Sequence, residues 1–185
     1  SRMRARVVMK PARHALPLVL LAASCADGSA PEPAERLRYD LVDVAADAGL
    51  VMTITSGDTP STQLLEVKGG GLALLDGDGD GDLDVFVPNG ATLAAPDAGP
   101  GARYFENRTS EAGGTLRFRD ATEDSGLTFR RWGFGCAVGD VNADGNDDIV
   151  VAAFGRNALL LGRAAGRFEE GSDAAGFTRE AWSTA

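Results

Sequence analysis

Short apolar runs punctuated by Gly, Asp and Asn dominate this chain. Gly71-Leu-Ala-Leu-Leu75, Leu83-Asp-Val-Phe-Val87, Cys136-Ala-Val138 and Ile149-Val-Val-Ala-Ala-Phe154 are each too short for an amphipathic helix. Bounded as they are by turn formers, they predict buried β-strands. Beyond the last of them, Gly155-Arg-Asn157 predicts a turn and Ala158-Leu-Leu-Leu161 another strand. A second turn follows around Ala165-Gly166, before Phe168. The expectation is an all-β chain.

The pattern recurs. Phe118-Arg-Asp-Ala-Thr-Glu-Asp-Ser-Gly-Leu127 returns as Phe168-Glu-Glu-Gly-Ser-Asp-Ala-Ala-Gly-Phe177, with a looser copy at Leu41–Leu50. Phe118 to Phe168, Gly126 to Gly176 and Trp132 to Trp182 are each 50 residues apart. The first unit is longer, since Asp76 to Asp140 is 64 residues. Its surplus falls in loops around Ala91–Gly101 and Glu111–Thr115. A unit of about 50 residues holding several short strands predicts a propeller blade, which buries its faces only against its neighbours. By this reading residues 37–185 form a partial β-propeller of about two to three blades, ending inside a third repeat. Trp132 and Trp182, each preceding an inner strand, are expected to pack in the core or between blades rather than stack on sugars. Gly69-Gly-Gly71 is read as a tight backbone approach at a blade entry, in preference to a phosphate cradle.

Between the predicted strands lie two acidic loops, Asp76-Gly-Asp-Gly-Asp-Gly-Asp-Leu-Asp84 and Asp140-Val-Asn-Ala-Asp-Gly-Asn-Asp-Asp148. Both fit D-x-[DN]-x-D-G-x-x-D. Oxygen-bearing side chains fall at positions 1, 3, 5 and 9, namely Asp76, Asp78, Asp80 and Asp84, then Asp140, Asn142, Asp144 and Asp148. Gly81 and Gly145 occupy position 6. Alternate residues of a tight loop can aim carboxylates at one point, and Ca²⁺ takes six to eight oxygens. Carboxylates packed this closely repel one another without a cation. One Asp/Gly run is compositionally biased and reads as a solvated turn; a second loop of different sequence with the same oxygen positions argues for two Ca²⁺ sites. Mg²⁺ suits fewer protein ligands. An EF-hand needs Glu at position 12 and flanking helices. Position 12 is Val87 or Val151 and the flanks read as strands, so each loop is expected to join two adjacent antiparallel strands.

The N-terminus reads as targeting. Arg2, Arg4, Arg6, Lys10 and Arg13 precede the apolar run Ala15–Ala23, which is too short to span a bilayer. Leu21-Ala-Ala-Ser-Cys25 resembles a bacterial lipoprotein signal with Cys25 as the lipidated residue; cleavage near Ala23 by an ordinary signal peptidase is the competing reading. Residues 1–25 are thus a signal segment and 26–36 a flexible linker. The expected location is the bacterial envelope, lipid-anchored to the membrane through Cys25, or secreted.

Charge narrows the function. The whole chain carries −9. All 27 acidic residues lie beyond residue 24 and five of the 18 basic ones before it, leaving 13 against 27 and a net −14 after processing. Nucleic acid is excluded as a partner, because phosphates demand a basic face. The sole histidine, His14, lies in the signal, so a Ser-His-Asp triad, a Cys-His pair and a His-ligated zinc site are all out of reach. Cys136 sits in an apolar strand and reads as a small core residue. Asn107-Arg-Thr109 fits a glycosylation acceptor by pattern, idle in a bacterial lipoprotein.

The stretches Gly69–Asp84, Trp132–Asp148 and Trp182-Ser-Thr-Ala185 resemble FG-GAP/VCBS repeats, and more narrowly the ASPIC/UnbV group related to cartilage acidic proteins. The resemblance covers nearly all of residues 37–185. It implies a seven-bladed propeller with Ca²⁺ in each motif-bearing blade, and a role in adhesion or recognition. It also implies that the position-7 carbonyls of Asp82 and Asn146 complete the metal shells. The expected function is a calcium-binding scaffold, not an enzyme, whose partner is an unknown protein or glycan. The alternative is part of a Ca²⁺-dependent envelope enzyme, polysaccharide lyase or hydrolase-like, with its active site in further blades.

Overall fold

A computed structural model describes residues 41–67 and 69–183. Residues 1–25, with His14 and Cys25, and residues 26–36, read above as a signal segment and a linker, lie outside the described residues. The elements below belong to the compact unit Ala45–Ala185.

The regular elements of the unit are almost all strands. A one-turn helix, α1 (Ala45–Ala48), and a 3-10 turn (Leu64–Val67) precede them. The first sheet is an antiparallel meander of β1 (Ala73–Leu75), β2 (Asp84–Val87), β3 (Arg103–Asn107) and β4 (Phe118–Asp120), in that spatial order. The second repeats the order with β5 (Gly133–Gly139), β6 (Asp148–Arg156), β7 (Ala158–Arg163) and β8 (Arg167–Glu170). A further strand, β9 (Glu180–Trp182), pairs with the far end of β6 in the register Phe154↔Trp182.

Strand boundaries follow pairing more than hydrophobicity. β6 runs two residues past the expected Phe154, because Gly155 and Arg156 pair with Ala181 and Glu180. The expected turn shrinks to Asn157, whose side chain accepts the Ala153 N–H at 3.0 Å. β5 begins at Gly133, three residues before the apolar run, because Gly133 pairs with Ala153 across an irregularity ending at Cys136. β3 lies between the two surplus loops, where Tyr104 and Phe105 pair with Phe86 and Val85.

The sheets bury one face of each in a common core. Leu75, Phe86, Tyr104 and Phe129 come from the first half; Ile149, Val151, Ala153, Leu160 and Phe168 from the second. Phe86, Tyr104, Ile149 and Val151 are fully buried, each contributing about 1.5–3 kcal/mol of burial. The Tyr104 and Phe168 rings meet edge to face at 5.2 Å. Period-2 alternation explains the choice of face: along β1, Ala73 and Leu75 point inward and Leu74 outward. Cys136 packs at the edge of this core, and burial pushes its thiol up to about 11. Trp132 is buried in a second cluster with Leu65, Ala91 and Phe134, and so sits in the core.

The segments matched at a 50-residue offset adopt matching turns. Ser125 N–H bonds Ala121 O and Gly126 N–H bonds Glu123 O; Ala175 N–H bonds Gly171 O and Gly176 N–H bonds Asp173 O. Gly71 makes the tight approach expected of it. Its N–H donates to the Phe134 carbonyl, and a Cβ there would lie 3.0 Å from that oxygen.

Glu66 organises the segment before β1. Its carboxylate accepts the N–H groups of Asp58 (3.0 Å), Thr62 (2.6 Å) and Gln63 (2.8 Å). These donors hold its carboxyl below the ordinary value, the Asp58 bond contributing most. A depressed folded-state pKa means stability that is fully present above the unfolded value, near 4.5, and is lost as pH falls through the folded one. Glu66→Gln is therefore expected to destabilise at pH 6–7, and its deficit against the parent should shrink below about pH 4. Urea melts of both proteins across that range check this; a deficit constant with pH would refute it.

Candidate metal centre

Each acidic loop closes a hairpin. Leu75 pairs with Asp84 at the base of the first, and Gly139 with Asp148 at the base of the second. The flanks are strands, as expected from their sequence.

The loops share a hydrogen-bond pattern. The position-1 carboxylate accepts the position-6 N–H: Gly81 N to Asp76 Oδ2 is 3.1 Å, and Gly145 N to Asp140 Oδ2 is 2.9 Å. Position 3 accepts from position 5: Asp80 N to Asp78 Oδ1 is 3.2 Å, and Asp144 N to Asn142 Oδ1 is 2.9 Å. Position 5 accepts from position 7: Asp82 N to Asp80 Oδ1 is 2.8 Å, and Asn146 N to Asp144 Oδ1 is 3.0 Å. Gly81 and Gly145 take φ of 90° and 86°, which only glycine adopts at little cost. Position 4 is also left-handed, as Gly79 in one loop and Ala143 (φ 58°) in the other. Ala143→Gly should relieve that strain, raising stability by about 0.5–1 kcal/mol in chemical denaturation; a loss of stability would contradict it.

In the first loop Asp76, Asp78 and Asp80 converge, each with a carboxylate oxygen within 4.8 Å of the others. Two ligands of one Ca²⁺, each at about 2.5 Å, can be up to about 5 Å apart, so the cluster has the right span. Its donors are all oxygen, which suits a hard cation. Burial raises the Asp78 carboxyl above its ordinary value, and the charges of Asp84 and Asp80 add to this. Asp82 turns aside, with Oδ2 accepting the Ser110 hydroxyl at 2.5 Å.

The position-9 residues are placed differently. Asp84 and Asp148 are 0% and 1% exposed. Asp84 Oδ2 accepts the Gly77 N–H (3.0 Å) and the Tyr104 hydroxyl; its Oδ1 accepts the Asn107 N–H at 2.8 Å. Asp148 accepts the equivalent pair, Val141 N–H at 2.9 Å and Gly162 N–H at 2.7 Å. Each therefore ties its loop to the third strand of its sheet. A carboxylate has about four lone-pair sites, so Asp84 keeps one free and Asp148 two. Burial raises the Asp84 carboxyl, opposed by the bonds from Tyr104, Asn107 and Gly77. Burial and the Asp84 carboxylate push the Tyr104 phenol well above its ordinary value, keeping it a donor.

The second loop carries its own cation. Arg163, on β7, reaches Asp144 Oδ2 at 3.1 Å, and the side-chain amides of Asn142 and Asn146 also donate to Asp144. The Asp144 carboxyl is held low, chiefly by Asn146. The loops also meet, since Asp147 Oδ2 accepts the Asp76 N–H at 3.4 Å.

Tyr104, Arg163 and Asp147 were not singled out from sequence. Tyr104 had a faint signal, a hydroxyl in an apolar strand that needs a partner. Arg163 had none, because its reach to Asp144 depends on the β6–β7 register. No protein-family model matches this chain, and no curated protein is detectably similar to it.

Proposed function

We propose that this chain is a Ca²⁺-stabilised β-propeller segment, exported and tethered through Cys25, that serves as a binding or adhesion scaffold for a protein or glycan. The observation that carries this reading is the pair of loops with one hydrogen-bond pattern, one of which gathers Asp76, Asp78 and Asp80. The ligand set is those three with Asp84 and the Asp82 carbonyl, and in the second loop Asp140, Asn142, Asp144, Asp148 and the Asn146 carbonyl. Bound Ca²⁺ would neutralise the loop carboxylates and hold the hairpin ends rigid; it has no catalytic task here. The propeller reading is supported by two four-stranded meanders of identical order, with Gly71, just before β1, donating to Phe134 of β5. It is further supported by β9, whose last residue Trp182 lies 50 residues after Trp132, the residue just before β5.

Calorimetric titration of Ca²⁺ into the chain tests the metal reading. The expected result is uptake at two sites, one lost in Asp80→Ala and the other in Asp144→Ala. No uptake, or unchanged uptake in both variants, would overturn it.

A further inference from the structure

We propose that a cleft at the Arg156 end of β6 binds an acidic sugar, a uronate, through its carboxylate and its hydroxyls. This rests on the scaffold reading above and names the ligand class. The cleft, about 620 Å³, lies where β6 ends, its walls including Arg130, Arg131, Arg156, Asp97, Glu180 and Phe154. That volume lies within the ~300–1,000 Å³ typical of small-ligand sites. The Asp140–Asp147 loop joins the opposite end of β6, about 25 Å away at ~3.3 Å per residue, so the cleft and the metal loops are separate sites.

The wall offers both halves of a recognition code. Arg130 donates to the Gly99 carbonyl at 3.1 Å and has no carboxylate partner among the described residues. Among the described residues Arg156 pairs only with Asp173, whose side chain is 82% exposed, so water weakens that pair. Arg131 is held by Glu170 at 2.7 Å and lies 5.3 Å over the Phe129 ring, with its Nε–H enclosed, which leaves Arg130 and Arg156 as the groups open to a ligand. Guanidinium groups in this state suit a carboxylate, which accepts two parallel N–H bonds. Asp97 and Glu180 have no ion-pair partner among the described residues, and as acceptors they suit hydroxyl donors. Half-buried Phe154, its ring edge-on to Trp132 at 6.4 Å, offers apolar surface to a sugar's C–H face.

Other ligand classes fit less well. A bare inorganic anion would meet Asp97 and Glu180 as like charges. A neutral sugar would leave Arg130 without a counter-charge among the described residues. A polyphosphate chain would face a protein of net charge −9.

The test is calorimetry of the full chain with digalacturonate, its dimethyl ester and acetate, with Ca²⁺ titrated separately into the same preparation. The expected result is binding of digalacturonate, at least about tenfold weaker binding of the ester, and none of acetate. Arg130→Gln and Arg156→Gln should each weaken digalacturonate about tenfold, with unchanged melting temperature and Ca²⁺ uptake. Asp97→Asn, which keeps both guanidiniums, should also weaken it. The proposal is overturned if digalacturonate does not bind, if ester or acetate binds as well, or if all three variants bind like the parent. Ca²⁺ uptake without digalacturonate binding refutes the uronate site alone; digalacturonate binding without Ca²⁺ uptake refutes the metal reading alone.

Discussion

Asp84→Ala is expected to destabilise the unit by about 3–5 kcal/mol, even with all divalent cations chelated. The substitution removes one fully buried carboxylate and three hydrogen bonds. Bonds to a charged group contribute about 1.5–3 kcal/mol each, and the Gly77 and Asn107 N–H groups lose their acceptor. Relief of the carboxylate's own desolvation offsets part of this, which holds the figure below the simple total. Tyr104→Phe, which deletes one donor and keeps the ring against Phe168, should cost about 1–2 kcal/mol. Asp80→Ala, on the exposed loop, should change stability by less than about 1 kcal/mol under the same conditions. Urea denaturation in EGTA measures all three. If Asp84→Ala behaves like Asp80→Ala, the clasp has no structural weight and position 9 serves the ion alone.

The second large effect is expected from calcium itself. At a free concentration 100 times the dissociation constant, each site adds about 2.7 kcal/mol. Two sites then raise the melting temperature by about 10 °C or more in a unit of this size. EGTA should reverse the shift, and the double variant Asp80→Ala/Asp144→Ala should not show it. The loops should contribute unequally. In the second, an entering ion must displace Arg163 and the two Asn amides from Asp144, whereas the first presents three carboxylates without an arginine partner among the described residues. Asp80→Ala should therefore remove more of the shift than Asp144→Ala. Thermal melts with Ca²⁺, Mg²⁺ and EGTA decide it; equal melting in all three would leave the loops as plain hairpin turns.

These predictions depend differently on sequence and on fold. The hairpins could be read in advance, because short apolar runs of β character on either side of an Asp/Gly loop leave little room for another local structure. Strands β5, β6 and β7 of the second sheet, the left-handed glycines at Gly81 and Gly145 and the matching turns at Ser125–Gly126 and Ala175–Gly176 likewise follow from residues near one another in the chain. So does the oxygen-only character of the loops, since residue type and spacing are local facts.

Tertiary structure alone decided what each oxygen does. Asp76 and Asp84 occupy ends of the same motif, yet one joins an open cluster and the other is sealed against Tyr104 and Asn107. Nothing in the nine-residue pattern separates them, because burial depends on a strand some 20 residues away. The Arg163–Asp144 pair, the Asp147 contact to Asp76 and the arginine-walled cleft arise the same way, from the register of β6 with β7 and the seating of one sheet on the other. Backbone pairing and core packing set those distances, and such terms act between segments whose sequences carry no mark of one another.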